Sequence, residues 1–122
     1  MTEYELQELA FTAGGLGINF SALLITLISS YLVVAYIAGS DLTRQQVTLV
    51  NVLFLFTSSL FLYGAISSFV KQLNFVEKLR ILDPENYYPV TPLVVIAVTT
   101  TFLLIVLASI HFMWSVRHPK TE

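Results

Sequence analysis

Three long stretches of this 122-residue chain carry no charged side chain, and they constrain its fold more than any other feature. They run from Phe11 to Ala38, from Gln45 to Val70, and from Asn86 to Val116, the last being apolar between Pro92 and Trp114. Each exceeds the roughly 20 residues that cross about 30 Å of hydrocarbon as an α-helix. Inside lipid a backbone must satisfy its own hydrogen bonds, so the stretches read as helices rather than open strands. The β-branched runs Val94-Val95-Ile96 and Thr99-Thr100-Thr101 would favour strand in water, but length and the lipid constraint override that propensity. The expected fold class is therefore all-α: an integral membrane protein with three transmembrane helices and a short amphipathic N-terminal lead-in helix. The expected division of this single membrane domain is a lead-in over 1–13, spans over 14–38, 46–70 and 92–115, and a polar tail over 116–122. The second helix is expected to continue towards residue 81.

Composition supports the same class. Charged residues make up 11 % of the chain, against about 25 % in an ordinary soluble domain, too few to coat a globule of this size. A soluble enzyme, a disordered segment and a nucleic-acid binder are all excluded, the last because a net charge of −2 offers phosphate no basic face. With no cysteine there is no disulfide, thiolate zinc site or cysteine-ligated iron–sulfur cluster.

The connections carry cap and turn signals. Thr2 and Glu5 stand at capping-box spacing, and Leu6, Leu9, Ala10 and Ala13 fall on one face of the lead-in. Gly14-Gly15-Leu16-Gly17 reads either as a hinge or as a closely packed part of the first helix; it follows no strand, so it is not a phosphate cradle. No basic segment precedes the first span, which is expected to be an uncleaved anchor. Gly39 is expected just past the end of helix one, with Ser40 or Asp41 capping helix two. This tight link makes helices one and two antiparallel neighbours. Lys71, Lys78 and Arg80 interleave with Phe75, Val76, Leu79 and Ile81, which suggests an amphipathic continuation of helix two. Asp83-Pro84-Glu85-Asn86 is a turn, Tyr87 and Tyr88 suit an interfacial aromatic belt with Trp114 and Arg117 as further anchors, and Thr91-Pro92 opens helix three.

Lys and Arg divide three against three between the two sides of the membrane: Lys71, Lys78 and Arg80 against Arg44, Arg117 and Lys120. The acidic segment before helix one, and the closeness of Arg44 and of Arg117-His118-Pro119-Lys120 to the spans, favour N-terminus outside and C-terminus inside.

Ionisable groups inside the spans would flag transport or proton relay, and the spans hold none except His111 near the end of helix three. His111 and His118 stand about 10.5 Å apart along one helix, too far to share a metal ion, so no metal site is expected. His111 alone is the one candidate for a haem or pigment ligand, against the plainer reading of an interfacial histidine hydrogen-bonded beside Trp114. His118 reads as a solvated tail residue. No catalytic residue and no cofactor is assigned.

Small and polar residues form stripes. Helix two repeats Asn51, Ser58, Ala65 and Gln72 at intervals of seven, with Gly64, Ser67 and Ser68 nearby. Helix three carries Ala97, Thr101, Ala108, His111 and Ser115; helix one carries Asn19, Ala22, Thr26, Ser29 or Ser30, and Val33. Inside a bilayer apolar contact gives helices little preference over lipid, so close approach and interhelical hydrogen bonds mark where they touch. The stripes thus read as packing within the chain, packing against other subunits, or the lining of a pore at Asn51 and Ser58. Phe54, Phe56, Phe61 and Phe69 fill the rest of helix two, more in the manner of core or lipid-facing residues than of a cofactor box.

The segments Tyr31-Leu32-Val33-Val34-Ala35-Tyr36, Leu42-Thr43-Arg44-Gln45-Gln46 and Phe112-Met113-Trp114-Ser115-Val116-Arg117-His118-Pro119-Lys120 resemble a family of small, uncharacterised three-span bacterial proteins. The resemblance extends over the whole chain and implies a bacterial cytoplasmic-membrane setting; it brings no activity and no functional residue. The expected function is non-enzymatic: helix association, as a homo-oligomeric scaffold or an accessory subunit of a membrane complex. Its expected partners are membrane lipid, further copies or a larger complex, and no nucleic acid. The alternatives are a homo-oligomeric pore and a single-histidine pigment or haem module.

Overall fold

The computed structural model describes residues 2–87 and 92–119, which form three helices: α1 (Glu3–Ala38), α2 (Arg44–Leu82) and α3 (Leu93–Arg117). All three are long and apolar enough to cross a membrane, so the chain is an all-helical, multi-pass membrane protein in architecture. At 1.5 Å per residue α1 and α2 reach roughly 54 and 58 Å, while α3 reaches about 38 Å. The first two therefore outrun the hydrocarbon and the third.

Reciprocal capping boxes start α1 and α2. The Glu5 amide donates to Thr2 Oγ1 and the Thr2 amide to Glu5 Oε2, both at 3.2 Å. At the second helix the Gln46 amide donates to Thr43 Oγ1 at 3.2 Å and the Thr43 amide to Gln46 Oε1 at 2.9 Å. The cap of α2 is thus Thr43, not Ser40 or Asp41. A Thr-x-x-Gln box satisfies two orphaned amides at once, which neither alternative does. Residues 39–42 first complete a turn, in which the Asp41 and Leu42 amides both donate to the Ala38 carbonyl.

Gly39 ends α1 in the right-handed region, at φ −57° and ψ −39°. Space, not dihedral freedom, requires a glycine there. A Cβ would stand 2.3 Å from the Ala35 carbonyl oxygen and 3.1 Å from Val116 Cγ1 on α3. Helix three begins at Leu93 with Pro92 as its N-cap residue, one position earlier than expected of a first helical proline. Thr91, expected to cap it, lies outside the described residues, as does Tyr88.

No break separates the lead-in from the first span. Helix α1 runs unbroken through Gly14-Gly15-Leu16-Gly17, so these residues are no hinge and residues 3–13 are its first turns. The reason lies across the seam, where the chain comes too close for a side chain. A Cβ on Gly14 would meet Gln72 Nε2 at 2.5 Å, and one on Gly17 would meet Phe69 Cε1 at 2.7 Å. Tyr31 meets Asn51 and Phe54, and Phe20 covers Gly64. Partners that rise in number on α1 fall on α2, which fixes a single antiparallel register along the hairpin.

That register sets Gly14 beside Gln72, one residue beyond Lys71, the first charge after the α2 span. The charge-free run of α1 reaches Phe11, beyond the level of Lys71, and residues 3–13 therefore pair with 72–82 as an extension of the hairpin. Leu6, Ala10, Ala13 and Leu79 are its buried residues. Tyr87 closes it, accepting from Gln7 Nε2 at 2.5 Å and donating to Glu3 Oε1 at 3.3 Å. Gln7 lies about 10 Å beyond Gly14 along α1. Tyr87 therefore latches the extension.

The main core lies at the opposite end, where all three helices meet. Leu24, Ile28, Tyr31 and Ala35 of α1 pack there with Phe54 and Leu62 of α2 and Val106 and Met113 of α3. Only Val106, Ser109 and Met113 of α3 are buried. Phe102, Ile110 and Phe112 pack against this core half-buried, and much of the remaining surface of α3 faces outwards, as an apolar helix can against lipid tails.

Candidate functional site

Asn51 is the most specific polar contact between helices. Tyr31 Oη donates to Asn51 Oδ1 at 2.6 Å, and the Tyr31 ring stacks on Phe54 with centroids 4.0 Å apart. The seven-residue repeat continues below it: Ser58, Ala65 and Leu79 are buried, and Gln72 is half-buried against Gly14. Ser68 is buried and Gly64 half-buried under Phe20, so the helix-two stripe is the face α2 turns to α1. Ser58 Oγ is buried without a hydrogen-bond partner.

The stripes on the other two helices lie elsewhere. Asn19, Thr26 and Ser30 of α1 are exposed, as are Ala97, Thr101, Ala108 and His111 of α3. Three of these hydroxyls are satisfied within their own helices: Thr26 donates to the Ala22 carbonyl at 2.9 Å, Ser30 to Thr26 at 2.9 Å and Thr101 to Ala97 at 2.8 Å. Bonded in this way, a hydroxyl can face outwards without an interhelical partner. The face α1 presents to the core instead carries Ala10, Gly17, Leu24 and Tyr31, again at intervals of seven, with Gly14, Ile28 and Ala35 beside them. That repeat was the available signal in the sequence. On α3 the buried residue is Ser109 rather than its neighbour Ala108.

At the C-terminal end of α3, Trp114 lies between two imidazoles. Its ring stands 5.9 Å from His111 and 4.7 Å from His118, at interplanar angles of 21° and 23°. His111 thus sits beside Trp114 by stacking. His118 is exposed just past the helix end, and its amide caps α3 on the Trp114 carbonyl while Nδ1 faces the same oxygen at 3.0 Å. Since a carbonyl only accepts, that ring nitrogen donates.

Arg117 joins α3 to the connection between the other two helices. Its Nη1 donates to the carbonyls of Gly39 at 3.0 Å and Leu42 at 2.5 Å, clamping α3 to the α1–α2 connection. For this reason α3 continues two residues past the expected end at Ser115, and a cation in its last turn also suits the helix dipole. In the extension Arg80 forks onto Glu77 through Nε, at 3.0 Å, and Nη2. These hydrogen bonds hold the Glu77 carboxyl below its ordinary pKa and the guanidinium above its own.

Among the described residues no group of three His, Asp or Glu could hold a metal ion. The structure thus defines a class: a three-helix, multi-pass membrane protein with a polar α1–α2 seam and outward-facing polar positions on α1 and α3. No protein-family model, curated protein or solved structure matches the chain.

Proposed function

We propose that the protein works by helix association in the plane of a membrane, as a non-enzymatic scaffold of identical subunits or an accessory subunit of a larger complex. The observation that carries this reading is the outer face of α3, where Ala97, Thr101, Ala108 and His111 lie exposed on a helix with three buried residues. Small and hydroxyl-bearing residues let a second helix approach closely, and α1 adds Thr26 and Ser30 on its own exposed side. The same reading places the protein in a bacterial cytoplasmic membrane with its N-terminus outside and its C-terminus inside. Arg44 and Arg117 would then mark the inner boundary. The pore reading draws less support, because Asn51 is bonded to Tyr31 and Ser58 is buried.

Crosslinking in native membranes, followed by purification of the tagged chain, tests this reading. Covalent self-adducts or one recurrent partner are expected, and Thr101→Leu should reduce them. A chain recovered free of adducts from every membrane preparation would contradict it.

A further inference from the structure

A crevice of about 440 Å³ opens between the first turns of α2 and the last turns of α3. Its polar side holds Arg44, Arg117 and His118, its apolar side Ile110 and Met113, and Trp114 stands at the mouth. Among the described residues no acidic side chain lines it. Two arginine side chains give the rim of the crevice its positive charge, at an end where α1 and α3 finish with their negative helix poles and α2 starts with its positive one. Helix α2 begins here, and its first turn carries Arg44 where an acidic residue would offset the positive helix end. No hydrogen bond to Arg44's guanidinium is present among the described residues, and Asp41, the nearest acid in sequence, is exposed in the connection outside the crevice. Among the described residues Arg117 hydrogen-bonds through Nη1 alone, to the Gly39 and Leu42 carbonyls.

We propose that this crevice binds the phosphate of an anionic phospholipid, held by Arg44 and by the Nε and Nη2 edge of Arg117. The acyl chains would run down the apolar side over Val47 and Ile110. A planar guanidinium edge matches phosphate oxygens as two parallel donors. Basic crevices between membrane helices at the headgroup level recognise anionic lipid by this chemistry. The occupant is lipid rather than free phosphate because the cationic rim continues directly into an apolar wall on a membrane helix. This site concerns lipid and is independent of whether α3 packs against a second subunit.

Trp114 is the only tryptophan in the chain and reports from the mouth of the site. The full chain is placed in nanodiscs containing a trace of brominated phosphatidylglycerol or of brominated phosphatidylcholine, and its emission is recorded. The anionic phosphatidylglycerol is expected to quench more than the zwitterionic phosphatidylcholine at equal mole fraction, and millimolar inorganic phosphate is expected not to relieve the quenching. Arg44→Gln should lower the preference roughly fivefold, the effect of one basic residue near an anionic surface. Lys78→Gln removes the same charge at the far end of the molecule and should leave the preference intact. Equal quenching by the two lipids in the unaltered chain would overturn the proposal, without reliance on any variant. So would an equal loss of preference in Lys78→Gln, full retention in Arg44→Gln, or relief by inorganic phosphate.

Discussion

Tyr31 Oη donates to Asn51 Oδ1 at 2.6 Å, and this bond ties the last turns of α1 to the first turns of α2 while the tyrosine ring stacks on Phe54. Interhelical hydrogen bonds of this kind average about 0.6 kcal/mol and reach about 1.7 kcal/mol in membrane proteins. Tyr31→Phe keeps the stack and removes the bond, so a loss in that range is expected. Asn51→Leu should cost a similar amount. A double-mutant cycle by thermal unfolding in detergent should find the two losses coupled; strict additivity would mean the bond does no work.

The glycines of α1 separate cleanly by what stands opposite them. A methyl group at Gly17 would press on the Phe69 ring, whereas one at Gly15 would meet nothing within 4 Å. Gly17→Ala is expected to destabilise the hairpin by roughly 1–3 kcal/mol through overpacking. Gly15→Ala should be neutral or stabilise by up to about 1 kcal/mol through helix propensity. Circular dichroism melts of the two variants check the contrast, and equal effects would refute the close approach.

Arg117→Gln removes the two bonds that hold α3 to the α1–α2 connection. Hydrogen bonds to a charged donor contribute about 1.5–3 kcal/mol when well formed, and this side chain is half-buried. The expected outcome is faster amide exchange at the end of α3 and in residues 39–43, with exchange around Leu6 and Leu79 unchanged. Uniform acceleration along the whole chain would show that the clamp is not local.

In the extension, the Arg80 hydrogen bonds lower the Glu77 carboxyl's pKa. A carboxyl with a depressed folded pKa stabilises the fold above its ordinary value, and this contribution disappears as pH falls through the folded value. Both side chains are well exposed, so the contribution is small. Carboxyl-carbon titration by NMR should place Glu77 below the ordinary 4.5, and Arg80→Gln should return it there.

Much of this architecture is legible in the sequence because it follows from scarcity of charge. The three helices are legible because charge-free stretches of that length can satisfy their backbone in lipid only as helices. The α2 face is legible because its seven-residue repeat mixes small and polar residues that need partners. The α1 and α3 faces are not, because Thr26, Ser30 and Thr101 bond to their own helices and carry no information about neighbours. Gly14-Gly15-Leu16-Gly17 was open to two readings because glycine serves both flexibility and close approach; only Phe69 and Gln72, distant in sequence, decide between them. The roles of Arg117 and Tyr87 depend on contacts spanning 75 to 84 residues, beyond the reach of any local pattern.

Native mass spectrometry of the protein released from nanodiscs tests the central claim of helix association most directly. A discrete oligomer, or a complex with one constant partner, is expected, shifting towards single chains when Thr101→Leu and Ala108→Leu fill the outer face of α3. Single chains carrying no partner, in the unaltered protein across bilayer compositions, would contradict it.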